Sequence, residues 1–224
     1  MENRQTEDNR LTFYKLLDGL LLKSGGRVCE SSFNDYITAR YLSDKNLFDT
    51  IYTLTYDRLE NSAKISPVKV DMSVAQAMRR LRVDTHISLG GTFMFQPIHD
   101  VVYALHGSLN VGGRIALAVY PNIYDSQGRD VLAMLSDHAQ QPIKDKLKRW
   151  SVTVENAVTN LFMNISTEEI ISDTSIHEIT SLFGSDSFHR FLFRNEVEHE
   201  MFFEPLSDEQ KYYMSWNIIR GLRI

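Results

Sequence analysis

Three acidic residues each stand at or just beyond the end of a short apolar run: Glu30 after Val28-Cys29, Asp57 after the run Thr50 to Leu54, and Asp71 after Pro67-Val68-Lys69-Val70. A carboxylate in such a place can accept hydrogen bonds from the hydroxyl or amino groups of a bound molecule. The other chemistry-bearing residues assemble into no catalytic set. His99 and His106 lie seven apart on one helical face, but no carboxylate or cysteine completes a metal site. In Glu196-Val197-Glu198-His199-Glu200, strand periodicity puts the three glutamates on one outward polar face. The single cysteine, Cys29, excludes an internal disulfide and a multi-thiolate centre, and reads as a small buried hydrophobe. No Ser-His-Asp order, no phosphate-cradling Gly-x-x-x-x-Gly-Lys and no zinc spacing occurs.

The chain around these residues has a globular composition. Of 224 residues, 43% are hydrophobic and 24% charged, enough for a sizeable core. A net charge of −5 argues against nucleic-acid binding. The clusters Arg79-Arg80-Leu81-Arg82 and Lys144 to Arg149 are short, interleaved with apolar residues, and read as solvated helix faces. The apolar run Leu20 to Leu22 is too short for a signal sequence or a membrane span, so a cytoplasmic location is the expectation.

Short strands and helices alternate through about five cycles. A helix over Leu11 to Lys23 follows a polar arm at residues 1–10 and ends at Ser24-Gly25-Gly26. Strands are expected at Arg27 to Glu30, Thr50 to Leu54, Pro67 to Val70, Thr85 to Leu89 and Arg114 to Tyr120. The intervening helices run from Tyr36, from Arg58, from Val74 and over Ile98 to Leu109, with Gly112-Gly113 as a positive-φ stop. This alternation is the pattern of an α/β, Rossmann-like, doubly wound and mostly parallel seven-stranded sheet with helices on both faces. Beyond Pro121 the expectation is an inserted pair of helices (Arg129 to Ala139, Lys144 to Trp150) and an antiparallel strand pair within Phe188 to Phe203. Capping boxes at Ser175-x-x-Glu178 and Ser207-x-x-Gln210 open helices, the last carrying Tyr212, Tyr213, Trp216 and Ile219. The whole of 1–224 reads as one domain, with residues 11–121 as its ligand-binding half and 122–224 as a variable half.

Val83 to Leu89, a helix starting near Pro97, and then Leu109-Asn110-Val111-Gly112-Gly113-Arg114-Ile115-Ala116-Leu117 resemble the fourth strand, next helix and fifth strand of class I S-adenosylmethionine-dependent methyltransferases. The resemblance covers roughly residues 11–121. It implies S-adenosylmethionine as cofactor, bound where the family carries an acid followed by Gly-x-Gly-x-Gly. Glu30 takes the acid's place, and Ser32, Asn34 and Tyr36 stand at the three glycine positions, so the loop is a degenerate form of the motif. The family's ribose-gripping acid at the end of the second strand falls on Thr55, leaving Asp57 to supply a carboxylate by a shifted path. Asp71 and Met72 match the residues that meet the adenine, and Leu89 ends the fourth strand beside them. Phe95, Tyr120, Tyr124 and Trp150 are candidates for an acceptor pocket, and His99 for an acceptor-side residue. The resemblance implies methyl transfer to a small molecule or carrier-bound acid. The alternatives are an inactive methyltransferase-fold subunit that binds a protein partner, and a binder of another nucleotide. Neither nucleic acid nor membrane is an expected partner.

Overall fold

A computed structural model describes residues 25–32, 37–56, 62–71, 73–131, 137–176, 179, 196–204, 206–207 and 209–224. The first expected helix, the helix from Arg58 and part of the segment Phe188 to Phe203 lie outside these. In chain order the elements are β1 (Arg27–Glu30), α1 (Ile37–Asp44), β2 (Thr50–Thr55), β3 (Ile65–Lys69), α2 (Val74–Arg79), β4 (Val83–Leu89), a 3-10 turn (Gly91–Met94), α3 (Ile98–Ser108), β5 (Leu109–Asp125), α4 (Asp137–Thr159), β6 (Met163–Thr174), α5 (Glu196–Phe203) and β7 (Tyr212–Leu222). The strands form one seven-stranded sheet in the order β3-β2-β1-β4-β5-β7-β6. The pairs β1–β2, β2–β3, β1–β4 and β4–β5 are parallel. The expected sheet is therefore present.

The chain divides into two compact units, which among the described residues are 25–119 with 152–168 and 218–224, and 120–151 with 169–217. In the first, Val28, Ile51, Ile87, Ala116 and Leu117 are buried in the middle of the sheet, and the apolar stripe Ile98, Val101, Val102 and Leu105 is the buried face of α3. Helices α2 and α3 pack on each other. Ser73 caps α2 by accepting the Gln76 N–H at 3.2 Å.

The Gly112-Gly113 pair has a different task from the one expected of it. Helix α3 ends at Ser108, whose hydroxyl donates to Leu105 O at 2.8 Å, and Leu109 is already extended. Gly112 adopts φ +78°, and a Cβ on Gly113 would come within 2.7 Å of Asn110 O. The two glycines thus bend the start of β5, where Gly112 N–H donates to Arg223 O and Arg223 N–H to Gly113 O, both at 2.8 Å.

In the second unit three expectations are corrected. Tyr212–Leu222 is strand β7, not a helix. Tyr212, Trp216 and Ile219 fall at helical spacing, but β7 buries residues at both alternating positions, Met214, Trp216 and Ile218 on one and Ser215 and Ile219 on the other, and so loses its alternation. Ser207 and Gln210 form a turn into that strand, where Ser207 N–H donates to the Tyr212 hydroxyl oxygen at 2.8 Å, so no helix opens there. Glu196–Phe203 is helix α5 rather than part of a strand pair, which places Glu196 and Glu200 on one helical face one turn apart. Of the helix expected over Arg129 to Ala139, Asp137 to Ala139 are in α4, but Arg129 and Asp130 belong to a tight turn: Asp125 accepts from Gln127 N–H and Arg129 N–H, both at 2.9 Å, and holds the Arg129 guanidinium at 2.7 Å. Among the described residues no helix is long and apolar enough to cross a membrane.

Gly107 and Gly113 give opposite expectations. A Cβ on Gly107 meets nothing within 4 Å, so Gly107→Ala on α3 is expected to raise unfolding free energy by about 0.5–1 kcal/mol. Gly113→Ala is expected to lower it by about 1–3 kcal/mol, because backbone must move to admit the methyl. Urea titration of the two variants checks both signs.

Candidate functional site

The chain leaves β1 to build β2 and β3 on one side of the sheet, then crosses to build β4 and β5 on the other. The order reverses between β1 and β4, and the carboxyl ends of strands at such a reversal are the standard ligand position in open α/β sheets. The residues at this point belong to a single unit.

Glu30 ends β1 and is only 1% exposed. Its carboxylate accepts the Thr53 hydroxyl on one oxygen and the Ser32 N–H at 3.0 Å on the other. Burial raises its pKa, and the hydrogen bonds from Thr53 and Ser32 pull it back down only in part. The carboxylate therefore acts inward, fixing the turn that leaves β1.

The next two residues are sewn to β4. Ser31 N–H donates to Ile87 O at 3.0 Å, and Ser31 O accepts the Ser88 hydroxyl at 3.1 Å. Ser31 Oγ lies 3.0 Å from His86 Nε2, and Ser32 Oγ accepts the Leu89 N–H at 3.0 Å. Gly91 presses on this seam: a Cβ there would stand 2.1 Å from Ser31 O and 2.8 Å from Ser32 Cα. Only glycine permits that approach. His86 is fully buried, and its Nδ1 has no partner, as is also true of Thr92 Oγ1 in the 3-10 turn. Burial holds the His86 imidazole down at about 3, far below its ordinary 6.5, so the ring is neutral. Ser31, His86, Ser88 and Gly91 were not singled out from the sequence. Their only signal there is polar residues inside otherwise apolar strands, and a glycine pair, Gly90-Gly91, directly after β4.

Of the expected site residues, Glu30, Ser32 and Leu89 come together at the carboxyl ends of β1 and β4, all buried. Asp71 stands apart at the end of β3, exposed, with Lys69 Nζ 3.0 Å from its Oδ1. Thr55, onto which the family's ribose-binding acid falls by resemblance, is buried at 8% exposure, and Tyr56 beside it is exposed. Asn34, Tyr36, Asp57 and Met72 lie outside the described residues. Phe95 is a core residue, fully buried, and in the second unit Trp150 is core as well. His99 is exposed on the first turn of α3, and His106 packs edge-on against Phe162 with ring centroids 5.2 Å apart. Among the described residues no group of histidine, cysteine, aspartate or glutamate could hold a metal ion.

Solved structures match this architecture over nearly the whole chain. Phosphoethanolamine N-methyltransferase 2 of Haemonchus contortus, solved with phosphomonomethylethanolamine and S-adenosylhomocysteine, superposes with a TM-score of 0.56 at 13% identity over 94% of this chain and 52% of its own. A candidate methyltransferase of Bacillus halodurans gives 0.53 at 10% identity, covering 94% of this chain and 97% of its own. The fold is that of the class I methyltransferases. A third match, the S-adenosylmethionine-dependent methyltransferase of Thiobacillus denitrificans with S-adenosylhomocysteine, gives 0.50 at 12% identity over 95% of this chain and 91% of its own. The chain spans about half the length of the Haemonchus enzyme. No protein-family model matches the sequence, and no curated protein does. The likeness to this methyltransferase fold is thus one of architecture, carried by strand order and not by sequence.

Two outcomes are expected of the seam. Gly91→Ala forces the turn off Ser31, and is expected to cost about 2–4 kcal/mol of unfolding free energy in urea. His86 binds a proton in the unfolded chain below about pH 6.5 and in the folded chain only near 3. Its contribution is therefore complete above pH 6.5 and is lost as pH falls toward 3, at up to about 1.4 kcal/mol per pH unit. Glu30, with its pKa raised, acts in the opposite sense: its contribution is complete below its unfolded pKa and is lost as pH rises through the folded one. Unfolding titrations between pH 7 and 4 should show a flatter acid limb for His86→Gln than for the natural chain. Identical limbs would mean the ring is not held neutral.

Proposed function

We propose that the chain is an S-adenosylmethionine-dependent methyltransferase whose acceptor is a small molecule or a carrier-bound acid. The observation that supports it is the strand order, with its reversal between β1 and β4, combined with an acid at the end of β1 that shapes the turn beneath the crevice. Glu30 fits the cofactor as organiser of the loop, and Asp71 fits as an exposed carboxylate able to accept from the adenine amino group. Leu89 fits as an apolar wall at the end of β4. Thr55 supplies no carboxylate for the ribose diol.

The cofactor, when bound, supplies a methyl group already activated on a sulfonium. What the chain adds is placement. The β1–β4 seam holds the crevice floor rigid, Leu89 excludes water from it, and Asp71 fixes the adenosine end, so that acceptor and methyl can meet in line. A carboxylate acceptor requires no general base, which agrees with the lack of one among the described crevice residues.

A second reading is favoured by Thr55 and Ser32. The ribose position is neutral and buried, and both the Ser32 N–H and its hydroxyl oxygen are engaged within the chain. On that reading the protein is an inactive methyltransferase-fold subunit that binds a protein partner. Isothermal titration calorimetry with S-adenosylmethionine and S-adenosylhomocysteine separates the two. Methyl transfer predicts saturable binding near micromolar, about −8 kcal/mol, weakened about tenfold by Asp71→Asn. Flat titrations with both ligands, on folded protein free of copurified cofactor, would overturn methyl transfer and favour the second reading.

A further inference from the structure

We propose that the outer end of this crevice accepts an adenosine nucleotide carrying a phosphate on its ribose, with Lys69 as the phosphate's cation and Thr55 as the neutral residue that admits it. The inference rests on the proposed placement of an adenosine over β2 and β3. Thr55 and Lys69 are register partners at the carboxyl ends of β2 and β3, so their side chains leave the same face of the sheet. In sheets of this class an acid at the end of the second strand bonds the free ribose hydroxyls and repels any phosphate there. Ligands with a phosphorylated ribose are met by a nearby cation instead. Here Thr55 at the end of β2 carries no charge, and Lys69 beside it on β3 is a cation.

The surroundings agree with that chemistry. Lys69 is half exposed, with its ammonium 3.0 Å from the exposed Asp71 carboxylate. Glu30, the neighbouring carboxylate on the same face of β1, is buried and bonded to Thr53 and Ser32, so it does not confront a phosphate at the rim. Tyr56 follows Thr55 with 47% of its surface exposed, and offers a ring on which a base can stack. The serine-bearing turn after β1 lacks the glycines that bring a backbone close to a pyrophosphate. A ribose phosphate bound over β2 and β3 makes no demand on that turn. Such a nucleotide would compete with S-adenosylmethionine for the same adenosine position.

The test is calorimetry on the full chain at low salt with adenosine 2′,5′-bisphosphate, adenosine 3′,5′-bisphosphate, adenosine 5′-monophosphate and S-adenosylhomocysteine. One of the bisphosphates is expected to bind about tenfold more tightly than the monophosphate, with the advantage shrinking as salt is raised. Lys69→Gln, a change at a half-exposed residue, is expected to erase that advantage. Equal affinities for bisphosphates and monophosphate, or an advantage that survives Lys69→Gln, would overturn the inference. Binding of S-adenosylhomocysteine without the bisphosphates would overturn it while leaving the methyltransferase reading intact. Binding of a bisphosphate without S-adenosylhomocysteine would do the reverse. No binding of any of the four would end both.

Discussion

Everything at the candidate site depends on how β1 is joined to β4 beyond the last ladder hydrogen bond. Two parallel strands at a reversal point normally part there and leave a crevice. In this chain Ser31 and Ser32 remain fastened to Ile87, Ser88 and Leu89 by a mixture of backbone and hydroxyl hydrogen bonds, all buried. Buried polar groups are costly unless matched, and these are matched almost one for one. The seam is possible because Gly91 has no side chain, since any Cβ would collide with Ser31 O. Glu30 closes the set by holding the Ser32 N–H.

This constraint has a direct consequence for the loop that follows. A glycine-rich loop gives backbone N–H groups that are free to approach a ligand. Here the first such position is a serine whose N–H and hydroxyl oxygen are both engaged inside the chain. Rigidity at the floor has replaced adaptability. The exposed groups at the ends of β2 and β3 are the carboxylate of Asp71, the ammonium of Lys69 and the ring of Tyr56, and it is these that the proposed ligand would meet. The proposed ribose phosphate rests on Thr55, which is neutral where the family's resemblance places a carboxylate for the diol.

Most of the parallel half was legible in the sequence. Short apolar runs ending in acids marked β1, β2 and β3, and the period of Ile98, Val101, Val102 and Leu105 marked α3, because burial on one helical side leaves a plain repeat. The second unit was less legible. Strand β7 is covered on both faces, so its apolar residues fall at helical as readily as at strand spacing, and Glu196–Phe203 alternates acids although it is helical. At the site, the acids were visible but their direction was not. Whether Glu30 faces a ligand or its own chain depends on Thr53, twenty-three residues away, and on the Ser32 N–H. His86 was hidden for the same reason: its partner Ser31 is distant in sequence, and an isolated histidine in a strand carries no pattern.

The central claim is that β1 and β4 are locked together at the crevice floor. Amide hydrogen exchange at Ser31, Ser32 and Leu89 tests it most directly, since their N–H groups donate to Ile87 O, the Glu30 carboxylate and Ser32 Oγ. The locked seam predicts that all three exchange only through global unfolding, as slowly as the middle of β4. Exchange at these amides orders of magnitude faster than at Ile87, in the absence of any ligand, would contradict it and return the floor to a mobile loop.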